Sequence, residues 1–349
     1  MSRRLCLMVV LLGAGLPAWA QEPFAVPTSG TIVGPAFDPY ASGCCPPLGC
    51  PVYGAQPSWY GGAGLVWVKP YYEDHEAFTI LDAQGISEFN VDQEFNADYE
   101  ITPRFWLGFK GCDGFGGRVR YWEYDHTGDP LSANNTVAGQ QFGALAGNNV
   151  NDAISATILT AVGAGSISAQ HGMELQTWDM EATQDMVWGQ NQVTFFGGLR
   201  YARMNQLYGS AVFAGQNLTG NGLFILHAHN FNGWGPTVGF ELQHSIGGIG
   251  LGVFFGLRQS ILFGEADQVV TFGGNTNAPF TGVRSDIDES LAITELQIGL
   301  EFQRELASGV AVVGRVGYEG QFWHGAGGPN STLTDLGLEG FLASVGFSR

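Results

Sequence analysis

The chain has 349 residues, of which 13% are charged and 13% aromatic, and its 14 basic and 32 acidic side chains give a formal net charge of −18. Because nucleic acids are bound through their phosphates by basic surfaces, this charge excludes a nucleic-acid partner. Ordinary soluble domains carry about 25% charged residues. A chain with so few charges and as many as 53 glycines is untypical of that class.

Residues 1–20 have the three parts of a signal peptide. Arg3-Arg4 precedes an apolar run over 5–16, and Ala18-Trp19-Ala20 is an Ala-x-Ala cleavage site. The run is too short for a membrane-spanning helix, which needs about 20 residues. We expect export and cleavage after this motif, which leaves 12 basic and 32 acidic side chains and a net charge of −20.

Residues 21–57 are rich in Pro, Gly and Ala without periodicity, which predicts an extended periplasmic lead-in. The exported chain keeps Cys44, Cys45, Cys50 and Cys112, and all four are disulfide candidates. Cys112 could bond to one of the other three and tether the lead-in to the domain that follows. Pairing within the cluster or between chains is the alternative. The spacing fits no zinc motif, so no metal site is predicted.

From residue 58 onward the sequence predicts strands with one apolar and one polar face. Leu296, Ile298, Leu300 and Phe302 are apolar, whereas the residues between them are polar or small. A period of two is the pattern of a β-strand whose two faces meet different surroundings. We predict ten strands, with twelve as the alternative, near residues 59–72, 95–111, 115–127, 172–188, 191–208, 230–246, 249–266, 286–305, 308–323 and 334–347.

The connections between these strands alternate between short and long. Outer-membrane barrels have short turns toward the periplasm and long loops toward the outside. We therefore predict that residues 58–349 form one all-β, antiparallel transmembrane barrel, and a secreted β-sandwich is the competing fold. The short turns fall at 111–114, 189–190, 247–248 and 307–308, and the long loops at 73–94, 128–171, 209–229 and 267–285.

Strand parity predicts which charged side chains enter the lumen of this barrel. Trp178 and Trp188 share one face of their strand with Met180, whereas Asp179 and Glu181 are on the other face. An arginine against mid-bilayer lipid costs about 2–4 kcal/mol, so the charged face is assigned to the lumen. The pore-lining candidates are Arg118, Arg120, Arg200, Arg258, Arg315, Asp179, Glu181, Glu241 and Glu301, and the same parity turns Arg104, Lys110, Asp185, Glu295, Glu319 and Glu339 inward.

These opposed charges have two interpretations. They could orient solutes in an open lumen, as charged rings do in channels, or they could pair with one another and close it. About eight strands give an interior that side chains fill, whereas about 16–18 leave an aqueous channel. A barrel of ten strands is closer in size to the barrels whose interior is filled by side chains.

Two of the long loops carry features of their own. The segment 73–100 contains nine acids and no Lys or Arg, so it could collect cations at a pore mouth, although a solvated outer loop is the simpler interpretation. The apolar stretch 153–162 could fold inward as a short plug helix or remain a mobile outer loop.

No arrangement of residues predicts catalysis or a cofactor. The chain has no Gly-x-Ser-x-Gly, no His-Glu-x-x-His and no phosphate loop. His244 and Ser245 are adjacent, so they point to opposite faces of a strand. His227 and His229 share a face, but no carboxylate is positioned beside them, and no metal site is predicted there.

Short segments of the chain resemble a known family. Phe195–Ala202 (FFGGLRYA), Phe254–Ser260 (FFGLRQS) and Asp335–Phe341 (DLGLEGF) are similar to the Legionella-type pore-forming major outer-membrane proteins, over roughly 59–349. The resemblance implies a porin-like barrel and no catalytic residue. The alternating last strand, 341–347, is similar to the terminal signal that the barrel-assembly machinery reads, which makes that machinery an expected partner.

The predicted function is a passive, weakly cation-preferring pore in the bacterial outer membrane for ions and small hydrophilic solutes, without enzymatic activity. The charge of the exported chain and the acidic segment 73–100 favour cations. The alternative is a structural or adhesive surface barrel whose lumen is closed by internal salt bridges. Outer-membrane lipid is the other expected partner, and the oligomeric state stays open.

Overall fold

The computed structural model describes residues 57–72, 76–82, 91–135, 140–146, 156–159, 165–214, 222–247, 249–274, 277–329 and 334–349. No helix in this part of the chain is long and apolar enough to span a membrane. The described residues form fifteen strands: β1 (Ser58–Tyr72), β2 (Glu76–Asp82), β3 (Val91–Glu94), β4 (Glu100–Lys110), β5 (Phe115–Thr127), β6 (Leu131–Asn135), β7 (Gln140–Ala146), β8 (Ala156–Leu159), β9 (Gly165–Trp188), β10 (Asn191–Ala214), β11 (Gly222–Ile246), β12 (Leu251–Gly274), β13 (Asn277–Glu305), β14 (Ala311–His324) and β15 (Leu336–Ser348).

Ten of these strands form a closed antiparallel ring. Their order is β1-β4-β5-β9-β10-β11-β12-β13-β14-β15, and β15 pairs with β1 from Ser348 opposite Tyr60 to Leu336 opposite Tyr72. The short β6 pairs with β9 beyond the end of β5 and continues that position in the ring. The prediction of a single antiparallel ten-stranded barrel is confirmed.

Glycines in the left-handed region make the short turns between barrel strands. Gly114 (φ 80°), Gly189 (φ 63°) and Gly247 (φ 66°) lie in three of the predicted turns, and Gly309 (φ 76°) directly follows the fourth, 307–308. Glycine adopts these angles without the steric cost that a Cβ would add. We assign this end of the barrel to the periplasm, because short turns face that side in outer-membrane barrels.

The outward face of the ring carries exposed apolar side chains. On β13, Leu296, Ile298, Leu300 and Phe302 are 40–55% exposed, whereas the alternating Glu295 is buried. An apolar surface that continues around a whole barrel is unfavourable in water, so this face contacts lipid.

Aromatic side chains border the apolar face at both ends. On the outer side, Tyr121 packs on Trp178 with ring centroids 4.5 Å apart, and Tyr201 packs on Trp234 at 4.8 Å. Near the periplasmic turns, Trp188 is 83% exposed. Amphipathic rings are favoured at the two lipid–water interfaces, which places the membrane between these two rows.

Several strands extend further outward than the sequence predicts. β10 continues to Ala214 and β12 to Gly274, through residues that the sequence assigns to loops, and β9 begins at Gly165. Above the outer aromatic row the strands are in water. Outward side chains such as Glu174 and Arg203 are polar there, whereas Met173 and Leu175 of β9 face inward, so the pattern of the membrane-spanning part is reversed on β9. On β10 the exposed Leu207 interrupts the outward polar face.

A second sheet, β3-β2-β7-β8, is built from residues that the sequence assigns to loops. Phe78 of β2 is buried in a cluster with Ile167 and Tyr208 of the barrel wall. Part of the acidic segment 73–100 is therefore packed structure, and the prediction of a solvated loop is wrong for β2. The described part of 153–162 is strand β8 and not the short helix considered above.

Gly340 is required where β15 passes close to β1. A Cβ at residue 340 would lie 1.7 Å from the carbonyl oxygen of Trp67, whereas at Gly314 of β14 the nearest atom would be 4.0 Å away. We expect Gly340→Ala to lower the free energy of unfolding by about 1–3 kcal/mol, because overpacking pushes the two backbones apart. The matched change Gly314→Ala should alter it by less than about 0.5 kcal/mol. Urea unfolding in vesicles, followed by tryptophan fluorescence, measures both, and equal stabilities would contradict the close approach.

Candidate functional site in the barrel lumen

The inward face of the barrel carries paired charges that we call the ion-pair belt. Six arginines and six carboxylates belong to it, so the belt has no net charge. It contains all nine residues that the sequence analysis proposes as pore-lining. Their role in a pore stays a prediction. The members are Arg104, Arg118, Arg120, Arg200, Arg258, Arg315, Asp179, Glu181, Glu241, Glu295, Glu301 and Glu319.

Asp179 on β9 has three arginines around it. Arg200 binds it through two hydrogen bonds, from Nε to Oδ1 at 2.6 Å and from Nη2 to Oδ2 at 3.0 Å. Arg258 donates from Nη1 to Oδ2 at 2.8 Å, and Arg120 lies 4.0 Å away. On its other side, Arg200 is 2.5 Å from Glu295 of β13. Each buried charge here has an opposite charge in contact, which compensates the cost of removing it from water.

Shared carboxylates continue the belt across the lumen. Arg118 of β5 donates to Glu181 and to Glu241, in both cases at 2.7 Å. Glu241 also lies 3.4 Å from Arg315 of β14, which donates to Glu301 at 2.6 Å. Strands on opposite sides of the ring are therefore joined through the interior.

Two phenylalanines enter the belt beside the arginines. The guanidinium carbons of Arg118 and Arg258 lie 5.1 and 4.6 Å from the centre of the Phe196 ring, and that of Arg315 lies 5.1 Å from the Phe254 ring. Such cation–π contacts contribute about 0.5–2 kcal/mol each. Sequence reasoning missed the role of Phe196. Its signal is the doublet with Phe195, because adjacent strand residues point to opposite faces.

A polar cavity of about 210 Å³ lies on the periplasmic side of the belt. Tyr60, Thr194 and Gln243 line it, and Lys110 pairs there with Asp185. Within the belt itself, a cavity of about 70 Å³ gives room for a few water molecules. The lumen therefore narrows from the periplasmic side to the belt.

Apolar side chains fill the lumen on the outer side of the belt, and we call them the apolar layer. Leu262, Leu291, Ile293 and Trp323 are completely buried in one cluster. The Trp323 indole donates from Nε1 to Gln321 Oε1 at 3.1 Å, which fixes the ring in place. A packed apolar layer has the density of a protein core, so it excludes water and ions.

Residues 326–329, which follow β14, fold inward beyond the apolar layer. Ala326 is completely buried, and its carbonyl accepts a hydrogen bond from Gln206 Nε2 at 2.9 Å. His227 Nδ1 lies 3.3 Å from the Pro329 carbonyl oxygen, and His229 Nε2 lies 3.6 Å from a Glu289 carboxylate oxygen. In the part of the chain that the structure describes, no group of three His, Cys, Asp or Glu side chains could hold a metal ion.

One of the charged side chains that the sequence assigns to the lumen lies on the other face of its strand. Glu339 lies opposite Lys69 on the outer face, because it shares its parity with the exposed Phe341.

Cys112 is partly exposed in the turn between β4 and β5. Cys44, Cys45 and Cys50, the signal peptide and nearly all of the lead-in lie outside the described residues, so these segments and the disulfide stay predictions.

Comparison with known proteins finds one family. A family model described as "Legionella pneumophila major outer membrane protein precursor" matches residues 52–347. No curated protein matches the chain.

Several solved structures are similar to the chain at low identity. The outer membrane protease OmpT from Escherichia coli is 8% identical, with 84% of this chain and 96% of that chain covered and a TM-score of 0.41. The toluene transporter TodX of Pseudomonas putida is 7% identical over 84% and 89%, with a TM-score of 0.23. A FadL homologue from Pseudomonas aeruginosa is 8% identical over 84% and 90%, with a TM-score of 0.23. Scores of this size carry no argument about function.

Proposed function

The chain belongs to the Legionella major outer membrane protein family and is a β-barrel of the bacterial outer membrane, and we propose that it is a structural or adhesive surface barrel whose lumen is closed. It has no enzymatic role in this proposal. The apolar layer carries the argument, because the side chains that fill it are completely buried on the inside of the ring.

The charge balance of the lumen also supports a closed barrel. Opposite charges in the ion-pair belt are equal in number and in direct contact, so little field is left to attract one sign of ion. The excess acidic charge of the chain lies outside the belt. The belt itself therefore provides no source of cation preference.

The passive, weakly cation-preferring pore is the second candidate. The polar periplasmic cavity favours it, because its lining includes Arg118, Glu241 and Arg315 of the belt and its volume has room for water. A conducting path would also need the apolar layer and the inward-folded residues 326–329 to move.

Planar-bilayer recordings distinguish the two candidates. We expect folded, purified protein to insert without stable channels, because the apolar layer stays packed. Insertion is checked by recovering the heat-modifiable folded form from the same lipid. Regular conductance steps would overturn the closed barrel. Their reversal potential in a salt gradient would then show whether cations or anions are preferred.

A further inference from the structure

Residues 326–329, which we call the inward segment, lie inside the outer part of the barrel, and all four are buried. Side chains of two neighbouring strands hold their backbone. Gln206 of β10 donates from Nε2 to the Ala326 carbonyl oxygen at 2.9 Å. His227 of β11 has its Nδ1 3.3 Å from the Pro329 carbonyl oxygen. An imidazole therefore makes one of the contacts that fix the inward segment to the wall.

A second imidazole reaches the inward segment through Gln206. Strand β10 lies between β9 and β11, and its Tyr208 is opposite both His171 and His227. Gln206 also hydrogen-bonds to His171. Because its Nε2 donates to Ala326, its amide oxygen is the atom that accepts from the imidazole. The two histidines therefore support the inward segment from the same level of the wall.

Both imidazoles are buried and uncharged in this arrangement, His171 at 5% and His227 at 1% exposure. Burial, together with the nearby His126 and His227, lowers the pKa of His171 to about 3. A carbonyl oxygen only accepts, so His227 Nδ1 donates to Pro329, and its Nε2 accepts from Gln268 Nε2 at 3.3 Å. A proton on that nitrogen would set two donors against each other. Turning the Gln268 amide would restore the bond but leave the charge buried.

Two further histidines at this end of the lumen have carboxylate partners. His126 Nδ1 lies 3.0 Å from Glu100, and His229 Nε2 lies 3.6 Å from Glu289. A carboxylate in contact compensates the charge of a protonated histidine, so these pairs hold in mild acid. Strands β7 and β8, which pack against β11, contain no titratable residue. Other titratable groups around the two imidazoles are Tyr72, Glu76, Tyr124 and Tyr208, and Lys69, Glu94 and Asp129 line the cavity beside His171.

We propose that acid releases the inward segment from the barrel wall, because His171 and His227 take up protons once the segment moves away and water reaches them. Below about pH 6.5, where a solvated histidine titrates, the closed arrangement binds fewer protons than the opened one. The closed state is therefore fully favoured above that pH and loses stability as the pH falls. The apolar layer lies deeper in the lumen, so the proposal holds whether or not that layer conducts ions.

Thiol reactivity at residue 326 measures the release. In a chain whose cysteines 44, 45, 50 and 112 are replaced by serine, Ala326→Cys is treated with 4,4′-dithiodipyridine, which reacts with thiols in acid as well as at neutral pH. Its rate is divided by that of Glu174→Cys, an exposed residue of β9. One histidine that stays neutral when buried and titrates normally in water gives about a 30-fold rise between about pH 7.5 and 5. We expect a reversible rise of about 10- to 30-fold.

Two substitutions remove the titrating rings. His171→Phe keeps a planar ring, and His227→Asn keeps a donor for Pro329. Together they should reduce the rise to less than about 2-fold, and each alone should reduce it in part, so the test stands even where the double variant does not fold. His229→Asn is the matched control, because His229 is on the same face of β11 but bonds to Glu289. It should keep the full rise.

A thiol in the apolar layer separates local release from unfolding of the barrel. Leu291→Cys should stay unreactive at about pH 5 while the heat-modifiable folded form is retained, because Leu291 is packed in the apolar layer. A rise below about 2-fold at residue 326, an equal rise in the double variant, or equal exposure of residue 291 would each overturn the proposal.

Discussion

Replacing Asp179 with asparagine is expected to lower the free energy of unfolding by about 3–5 kcal/mol, because it removes one partner of a buried charge network. Asp179 accepts from Arg200 and Arg258 and lies beside Arg120. Asparagine has nearly the same shape but no charge. The three arginines would then be left with one compensating carboxylate fewer, in a belt that is balanced in the native protein.

The measurement is urea unfolding of the barrel in lipid vesicles, supported by the temperature at which the folded gel band is lost. Asp125→Asn is the matched control, because Asp125 is an exposed aspartate on the outward face of the neighbouring strand β5. It should change stability by less than about 0.5 kcal/mol. If Asp179→Asn were as stable as this control, the belt would be weakly coupled and would not hold the barrel closed.

Replacing Trp323 with alanine is expected to open the apolar layer and to lower the free energy of unfolding by about 3–5 kcal/mol, the usual cost of truncating a buried aromatic residue. Trp323 is completely buried and contacts the layer from β14. Its loss leaves a void that connects with the polar side chains Gln321 and Glu319, so water can enter. We therefore also expect ion flux to rise above that of the native barrel.

Phe322→Ala is the control, because Phe322 is the adjacent residue and faces lipid. It removes an aromatic ring from the same strand without touching the lumen. Ion flux in vesicles that contain each variant, at equal amounts of folded protein, gives the comparison. Flux that rises equally in both variants would mean that loosened lipid packing, and not the apolar layer, sets the barrier.

Much of the fold was predictable because its signals are local. The alternation at Leu296, Ile298, Leu300 and Phe302 reflects the contrast between lipid and lumen at each residue, and it predicts the strand without knowledge of its neighbours. The outer strand extensions and the second sheet were not predicted, because in water above the membrane the apolar face no longer points outward: on β9, Ile167, Met173 and Leu175 are buried on the inner side. The misassigned Glu339 shares the outward face of Phe341, so its charge was a poorer guide to its face than the parity of its own strand.

The sequence by itself determined the barrel, the periplasmic turns and all but one of the charges assigned to the lumen, because the cost of exposing a side chain to lipid acts on each residue separately. Only the tertiary structure decided which of those charges meet. Arg104 and Glu319 are 215 positions apart and Arg118 and Glu241 are 123 apart, yet both pairs are in direct contact. The closure of the ring brings these residues together, so the difference between an open and a filled lumen depends on packing across the barrel, which no local pattern records.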